Sequence, residues 1–282
     1  MSDYPDSVRT LVKSALAEDI GLGDITTESL IGLDKVGRAQ VIAKEDCVVC
    51  GLEVASLVYL NLDPEVKFMA SIREGDLVAR GTVIAKLTGP LASILTGERT
   101  ALNFLQRLCG IATGARRFAD IAAGRTTILD SRKTIPGWRW LDKMAVRTGG
   151  CRNHRMGLYD RVLIKDNHIA SVGSISEAVR MAREGTPPDM MIEVEVENIE
   201  DLEKAVEAGA DLVMLDNFSP ESVDKAVTMA RGRVKLEVSG GIDEGNLADY
   251  VRSGNVDYIS IGAITHSVKA IDISMDVVID EE

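Results

Sequence analysis

Hydrophobic and polar positions alternate along the chain in three successive rhythms. Over residues 7–17 the apolar side chains Val8, Leu11, Val12, Ala15 and Leu16 recur every three or four residues, the spacing of one helical face. After a Gly- and Asp-rich stretch at 18–24, the apolar runs shorten. Segments 38–43, 66–70, 74–78 and 81–85 read as strands with turns between them, which predicts a small, sandwich-like mixed α/β region built on an antiparallel sheet. From Leu91 to about Leu108 the helical period returns, with Leu91, Ile94, Leu95, Leu102, Leu105 and Leu108 on one stripe. A helix over 91–123 is expected to mark the boundary between a first domain, 1–110, and a second, 111–282.

After Gly124 the third rhythm begins. Short apolar runs at 127–129, 162–164, 190–194, 212–215, 234–238 and 258–261 are separated by helical segments such as 174–184, 199–208, 220–231 and 244–253. Strands alternating with helices at this spacing predict a parallel sheet with right-handed crossovers. Six or more such units favour a closed or nearly closed β/α barrel over an open doubly wound sheet. No Gly-x-Gly-x-x-Gly follows the first strand, which speaks against a dinucleotide fold.

Composition adds limits. With 282 residues, 45% hydrophobic and 27% charged, the chain can bury a core without disulfide staples. Cys47-Val-Val-Cys50 lies in an apolar run and reads as a buried strand rather than a redox or metal site; Cys109 and Cys151 do not complete a metal pattern with it. No apolar stretch reaches the roughly 18 residues of a membrane span. The first residues, Met1 to Asp6, are polar and acidic, unlike a secretory signal, so a cytoplasmic location is expected. The acidic end Asp280-Glu281-Glu282 reads as a solvated tail. A net charge of −12 argues against nucleic acid as a partner. The charge is uneven, however: nine basic residues between 131 and 165 face only Asp142 and Asp160. That segment is either a local site for a small polyanion or a solvated basic loop.

In β/α folds ligands bind at the C-terminal ends of the strands. Those ends carry Asp130-Ser131-Arg132-Lys133, Lys165-Asp166-Asn167-His168, Glu193 with Glu195, Asp216-Asn217, Ser239-Gly240-Gly241 and Gly262-Ala263, with His266 shortly after. Arg132, Lys133 and Lys165, joined by His154 and Arg155 from the loop at 151–155, suit carboxylates and phosphates. Glu195 and Asp216 would repel an anion unless a cation lies between, and Mg²⁺ held by one or two carboxylates and substrate phosphates fits that arrangement. Ser239-Gly240-Gly241 and Gly262 precede helical segments and can offer backbone N–H groups to a phosphate. Arg99 shares the apolar stripe of its helix; it either snorkels to the rim or is carried into a pocket or interface.

Several motifs resemble the quinolinate phosphoribosyltransferase family. They are Gly97-Glu-Arg-Thr-Ala-Leu-Asn103, Asp130-Ser-Arg-Lys-Thr-Ile-Pro-Gly137, Asn153-His-Arg-Met-Gly-Leu158, Leu163-Ile-Lys-Asp-Asn-His168, Glu193-Val-Glu-Val196, Leu215-Asp-Asn217, Val238-Ser-Gly-Gly-Ile242 and Ile261-Gly-Ala-Ile-Thr-His-Ser267. The resemblance runs in order over nearly the whole chain. It implies an N-terminal α/β domain and an incomplete, seven-stranded β/α barrel, with the extreme C-terminal segment returning to the first domain. It implies a homodimer or dimer-based hexamer with sites shared between subunits, while the apolar-run length and net charge already speak against a membrane or nucleic-acid partner. The implied reaction joins quinolinate and phosphoribosyl pyrophosphate, with Mg²⁺, to give nicotinate mononucleotide, pyrophosphate and CO₂. Arg132, His154, Arg155 and Lys165 would hold the quinolinate carboxylates, with Arg99 reaching in from a neighbouring subunit. Lys133 and Lys165 would contact phosphoribosyl pyrophosphate, Glu195 and Asp216 its ribose and metal, and Ser239, Gly240, Gly241, Ser260 and Gly262 its 5′-phosphate. Lys133, Glu195 and Asp216 are the expected catalytic groups.

The departures are small: Ser131 stands where the family pattern has Thr, Cys151 where it has Gly, Cys109 where it has Ser, and Trp138 and Trp140 flank Arg139. Trp138 is near enough to the basic loop in sequence to alter the pocket. Two alternatives compete. One is a phosphoribosyltransferase for nicotinate or another ring acid that does not decarboxylate. The other is a non-catalytic module, suggested by a lipoyl-like hairpin look at 74–88; that segment has no lysine at its turn near Arg80-Gly81.

Overall fold

The computed structural model describes residues 4–32, 34–254 and 256–278, and the expected acidic tail at 280–282 lies outside the described residues. The chain divides into two compact units: residues 1–116 with 135–150 and 268–282, and residues 117–134 with 151–267.

The first unit opens with α1 (Asp6–Ile20), whose Val8, Val12 and Leu16 are buried as their spacing predicts. Helix α2 (Ile25–Leu30) is capped by Asp24, whose carboxylate accepts the Thr27 N–H at 3.0 Å. Then follow β1 (Val36–Ala43), β2 (Cys47–Val48), α3 (Leu52–Leu62), β3 (Lys67–Ala70), β4 (Leu77–Val78) and β5 (Val83–Pro90). Strands β1, β5 and β3 form an antiparallel sheet, completed beyond β1 by the last strand of the chain, Ile273–Val278. That strand pairs Ala43 with Ile273 and Arg38 with Val278. Strands β2 and β4 make a separate two-stranded ribbon.

Helix α4 (Leu91–Ala122) continues past Leu108, because Ile111, Ala112, Ala115 and Phe118 extend the buried stripe. Each fully buried leucine, isoleucine or phenylalanine there contributes about 1.5–3 kcal/mol. Cys47, Cys50, Cys109 and Cys151 are all buried and free, and Cys109 Sγ lies 3.3 Å from the Cys50 nitrogen, so the Cys-x-x-Cys is core rather than an exposed thiol pair.

Part of the basic segment is not a loop. Residues Arg139–Thr148 form α5 of the first unit. There Asp142 is fully buried and takes a forked ion pair from Arg107 at 2.9 and 3.1 Å. Trp138 stacks on Phe104 at 4.8 Å with the Arg107 guanidinium 5.5 Å from its ring, and Trp140 meets Tyr4 edge-on at 5.1 Å. The two tryptophans are therefore packing residues of this unit.

The second unit is the β/α part. It comprises β6 (Thr127–Leu129), β7 (Val162–Ile164), α6 (Asp166–Val172), α7 (Ile175–Gly185), β8 (Ile192–Val196), α8 (Ile199–Glu207), β9 (Leu212–Asp216), α9 (Pro220–Ala230), β10 (Lys235–Ser239), α10 (Leu247–Arg252), β11 (Tyr258–Ser260) and α11 (Ala263–His266). The last strand, β12, is the one already placed in the first sheet. Ser174, Asn198 and Ser219 cap α7, α8 and α9 through their side-chain oxygens, and Pro220 opens α9.

All pairings in this sheet are parallel and run β6-β11-β10-β9-β8-β7. The seventh barrel position is a single parallel bridge from Leu129 to Arg152, so among the described residues six strands are paired and the ring is incomplete beside β7. No helix among the described residues is long and apolar enough to cross a membrane.

Candidate active site

Side chains on a strand alternate between two faces, and parallel registration aligns one face across the sheet. On β8, Glu193 and Glu195 share the face opposite Ile192, Val194 and Val196; Glu195 registers with Met214 of β9, and Glu237 of β10 with the same Met214. Ser239 registers with Asp216. The inward row ends at a cavity of about 580 Å³ at the C-terminal ends of the strands. Its cationic side is made by Arg132, Lys133, Arg155 and Lys165, Glu195 and Asp216 face it from the ends of β8 and β9 with Asp130 and Asp243 also in its lining, and its far rim carries Ser239, Gly240, Gly241, Ser260 and Gly262. Ser131 and His154 also line it.

Two loops set the cations. After β6, Ser131 Oγ accepts the Lys133 N–H at 3.1 Å, while Thr265 Oγ1 donates to the Lys133 carbonyl at 2.9 Å. In the 154–161 loop, Asp160 accepts the backbone N–H groups of Met156 and Gly157 at 2.6 and 2.9 Å, and the Arg155 guanidinium donates to the Arg161 carbonyl at 3.1 Å. Burial, and then the like charge of Arg132, hold the Arg155 guanidinium below its ordinary pKa. Two guanidiniums kept near each other with little water are primed for an anion with more than one carboxylate. Lys165 pairs with Glu195, and burial followed by the Glu195 charge raises the Asp216 carboxyl. Asp216 also accepts from Asn217 Nδ2 at 2.8 Å.

These carboxylates at the ends of neighbouring strands are hard oxygen donors facing one cavity. They fit a divalent cation such as Mg²⁺ that shares its remaining positions with substrate oxygens.

The glycine rim has a steric reason. Gly240 has φ +101°, and a Cβ there would run into the Asn217 side chain, lying 2.8 Å from its Cγ and 2.9 Å from its backbone nitrogen. Gly262 has Lys133 Cδ 3.0 Å from the place of its missing Cβ, so its smallness makes room for the lysine stem.

Of the residues to which the resemblance gives a role, Arg99 does not line this cavity and is exposed on α4 of the first unit; of the polar strand ends, Asp166, Asn167, His168, Glu193 and Asn217 do not line it either. Nor do Trp138 and Trp140 line it. Of the run of basic residues, Arg139, Lys143 and Arg147 belong to α5, Arg132, Lys133, Arg155 and Lys165 line the cavity, and Arg152 and Arg161 do neither. His154 lines the cavity, yet both its ring nitrogens engage the protein: Nδ1 accepts the Arg155 N–H at 2.7 Å, and Nε2 faces Glu193 at 3.3 Å and Glu237 at 3.4 Å.

Three residues in and behind the cavity wall were not given a chemical role. Asp130, fully buried, accepts the His154 N–H at 2.8 Å. Glu237 is fully buried, and Arg161 pairs with Glu193 at 3.2 Å. The signal for Glu237 was present: a carboxylate inside the apolar run Val234–Val238.

Family models for the quinolinate phosphoribosyl transferase N-terminal and C-terminal domains match residues 24–109 and 111–276. The chain is 43% identical over 276 residues to a probable nicotinate-nucleotide pyrophosphorylase (carboxylating) of Bacillus subtilis, covering 98% of this chain and 95% of the relative. It is 39% identical to quinolinate phosphoribosyltransferase (decarboxylating) 1b of Nicotiana tabacum, covering 96% of this chain and 82% of the relative. The solved nicotinate-nucleotide pyrophosphorylase of Francisella tularensis superposes with a TM-score of 0.92 at 44% identity, covering 98% of both chains.

Proposed function

The chain belongs to the quinolinate phosphoribosyltransferase family, and from that premise we propose that it transfers the phosphoribosyl group of phosphoribosyl pyrophosphate to quinolinate, releasing pyrophosphate and CO₂ and leaving nicotinate mononucleotide. The observation that carries the reading is the cavity's division into a cationic cup, a carboxylate pair and a glycine rim.

The cup of Arg132, Arg155 and Lys165 suits two adjacent carboxylates on a ring. Holding them aims the ring nitrogen at the sugar and supplies proximity. Ser239, Gly240, Gly241, Ser260 and Gly262 suit the 5′-phosphate. Lys133, exposed at the mouth, would neutralise the departing pyrophosphate. Glu195 and Asp216 would hold the ribose and, when Mg²⁺ is bound, the cation, which supplies charge neutralisation at the pyrophosphate. They would also stabilise positive charge growing at the anomeric carbon. The carbon–oxygen bond to pyrophosphate breaks as the bond to nitrogen forms. The positive pyridinium nitrogen then stabilises the electron pair left on the adjacent ring carbon when its carboxylate leaves as CO₂, and that carbon takes up a proton from water to complete nicotinate mononucleotide. No residue need act as a nucleophile.

In this proposal a second copy of the chain brings Arg99 to the cup, in a homodimer or a dimer-based hexamer, and the enzyme works in the cytoplasm. The exposure of Arg99 on its helix supports the first part. Acceptor competition tests the function. The account expects quinolinate to exceed nicotinate in kcat/KM by at least about 100-fold, since cations of the cup would otherwise lose a partner. Equal or better use of nicotinate would overturn it in favour of the non-decarboxylating alternative.

A further inference from the structure

Behind the cup lie Glu193, Glu237 and Arg161, charged side chains with no assigned contact to substrate or cation, packed against His154 and Arg155 of its lining. Glu193 and Glu237 are fully buried, and His154 and Arg155 nearly so. Their contacts close a loop. The Arg155 backbone N–H donates to His154 Nδ1 at 2.7 Å; His154 Nε2 lies 3.3 Å from Glu193 Oε2; Arg161 Nη1 lies 3.2 Å from the same oxygen; and the Arg161 carbonyl accepts from Arg155 Nη1 at 3.1 Å. Asp130 grips the same loop by accepting the His154 N–H at 2.8 Å. Glu237 faces the same His154 Nε2 as Glu193 does. No hydrogen bond of good geometry reaches either of its oxygens, and its nearest polar groups are His154 Nε2 at 3.4 Å and the Ser260 hydroxyl.

This geometry fixes the protons. A nitrogen that accepts an N–H bond carries a lone pair, so the proton of the ring sits on Nε2 and points at the carboxylates. A neutral ring, two carboxylates and one guanidinium leave one negative charge without a partner in a dry interior. Such a charge is costly, and a proton on one carboxylate removes it. Glu237 is the candidate, since Arg161 already lies on Glu193. Burial, and next the Glu193 charge, push the Glu237 carboxyl up to about 7.

We propose that Glu193 and Glu237 are positioning residues: they hold His154 as a neutral, Nε2-protonated strut, and through its Nδ1 fix the Arg155 backbone so that the guanidinium stands ready in the cup before substrate arrives. His154 then shapes the cup without contributing a cation to it. This rests on the reading of the cup as the quinolinate site. The same three donors have the spacing of a metal site, His154 with Glu193 and Glu237. A protonated Nε2 cannot ligate, however, and Arg161 occupies Glu193.

Two measurements on the full-length enzyme test it. With three histidines in the chain, ¹⁵N-histidine NMR at pH 6, where the Glu237 carboxyl holds its proton, resolves each ring. The expected result is one ring in the neutral Nε2–H form, absent in His154→Gln and unchanged in charge on adding quinolinate. A His154 imidazolium, the Nδ1–H form, or conversion to imidazolium on binding would overturn the proposal. So would one equivalent of divalent metal that is lost in Glu237→Ala.

Steady-state kinetics supply the second readout. Glu237→Ala should raise the quinolinate KM about tenfold with the phosphoribosyl pyrophosphate KM within twofold, and Glu237→Gln should restore it. Equal rises in both KM values, or no rescue by glutamine, would reduce Glu237 to a packing residue. Wild-type enzyme inactive on quinolinate would refute the proposed function instead, and would leave the tautomer result standing.

Discussion

Replacing Gly240 with alanine sets a methyl carbon against the Asn217 side chain, 2.8 Å from its Cγ and 2.9 Å from its backbone nitrogen, at a backbone φ of +101°. The neighbouring glycine provides the control. Gly241 has φ +62° and nothing within 4 Å of the place a Cβ would take, so Gly241→Ala meets backbone strain alone. Left-handed strain costs about 1–2 kcal/mol for an L-residue. Overpacking against a backbone atom that cannot swing away adds about 1–3 kcal/mol. Gly240→Ala should therefore cost about 3 kcal/mol and Gly241→Ala about 1 kcal/mol. At roughly 2–3 °C per kcal/mol for a chain of this size, Tm should fall by about 6–9 °C and about 2–3 °C. Asn217 itself has φ +57° and its N–H donates to the Ser239 carbonyl at 2.8 Å, so displacing it shifts the ends of β9 and β10 together. Calorimetry beside steady-state kinetics reads both effects, and the phosphoribosyl pyrophosphate KM should rise more in Gly240→Ala. Equal Tm values for the two variants would refute the steric reasoning, because strain would then explain both.

Lys133→Ala should lower kcat about 10²–10³-fold with Tm almost unchanged, because the side chain is exposed and faces the leaving group; near-normal turnover would remove its assigned role. Arg107→Met strands the buried Asp142 carboxylate and should cost about 3 kcal/mol. Burial already raises the Asp142 carboxyl, so urea denaturation should show a loss that grows as pH rises and shrinks as falling pH protonates the bare carboxylate; a pH-independent loss would contradict this. The Glu237 carboxyl, raised from 4.5 to about 7 by burial, binds its proton more tightly when folded. Its contribution to stability is full below about pH 4.5 and is lost as pH rises through about 7, and Glu237→Gln should flatten that part of the stability profile.

The barrel was legible because its strands are short apolar runs ending in polar residues. Runs read at 212–215 and 258–261 became Leu212–Asp216 and Tyr258–Ser260. The segment read as a helix from Glu244 begins only at Leu247, because Asp243 and Asn246 tie its start into a turn, Asn246 Oδ1 accepting the Asp243 N–H at 2.9 Å. The cavity's cations were legible because Arg132, Lys133 and Lys165 follow strand ends directly.

Helix α5 was not legible. Its buried positions include Asp142 and Lys143, so polarity masked the helical stripe. The return of β12 to β1 depends on a pairing more than 200 residues distant, which local periodicity does not encode. Glu193 and Glu237 could be seen as carboxylates among apolar neighbours, but only the parallel register brings them to one histidine.

The most direct test of the central claim uses quinolinate labelled at the carboxylate beside the ring nitrogen, incubated with the purified protein, phosphoribosyl pyrophosphate and Mg²⁺. The account predicts labelled CO₂, pyrophosphate and unlabelled nicotinate mononucleotide in equal amounts. Nicotinate converted to the mononucleotide while quinolinate stays intact, or transfer to quinolinate without CO₂, would contradict it.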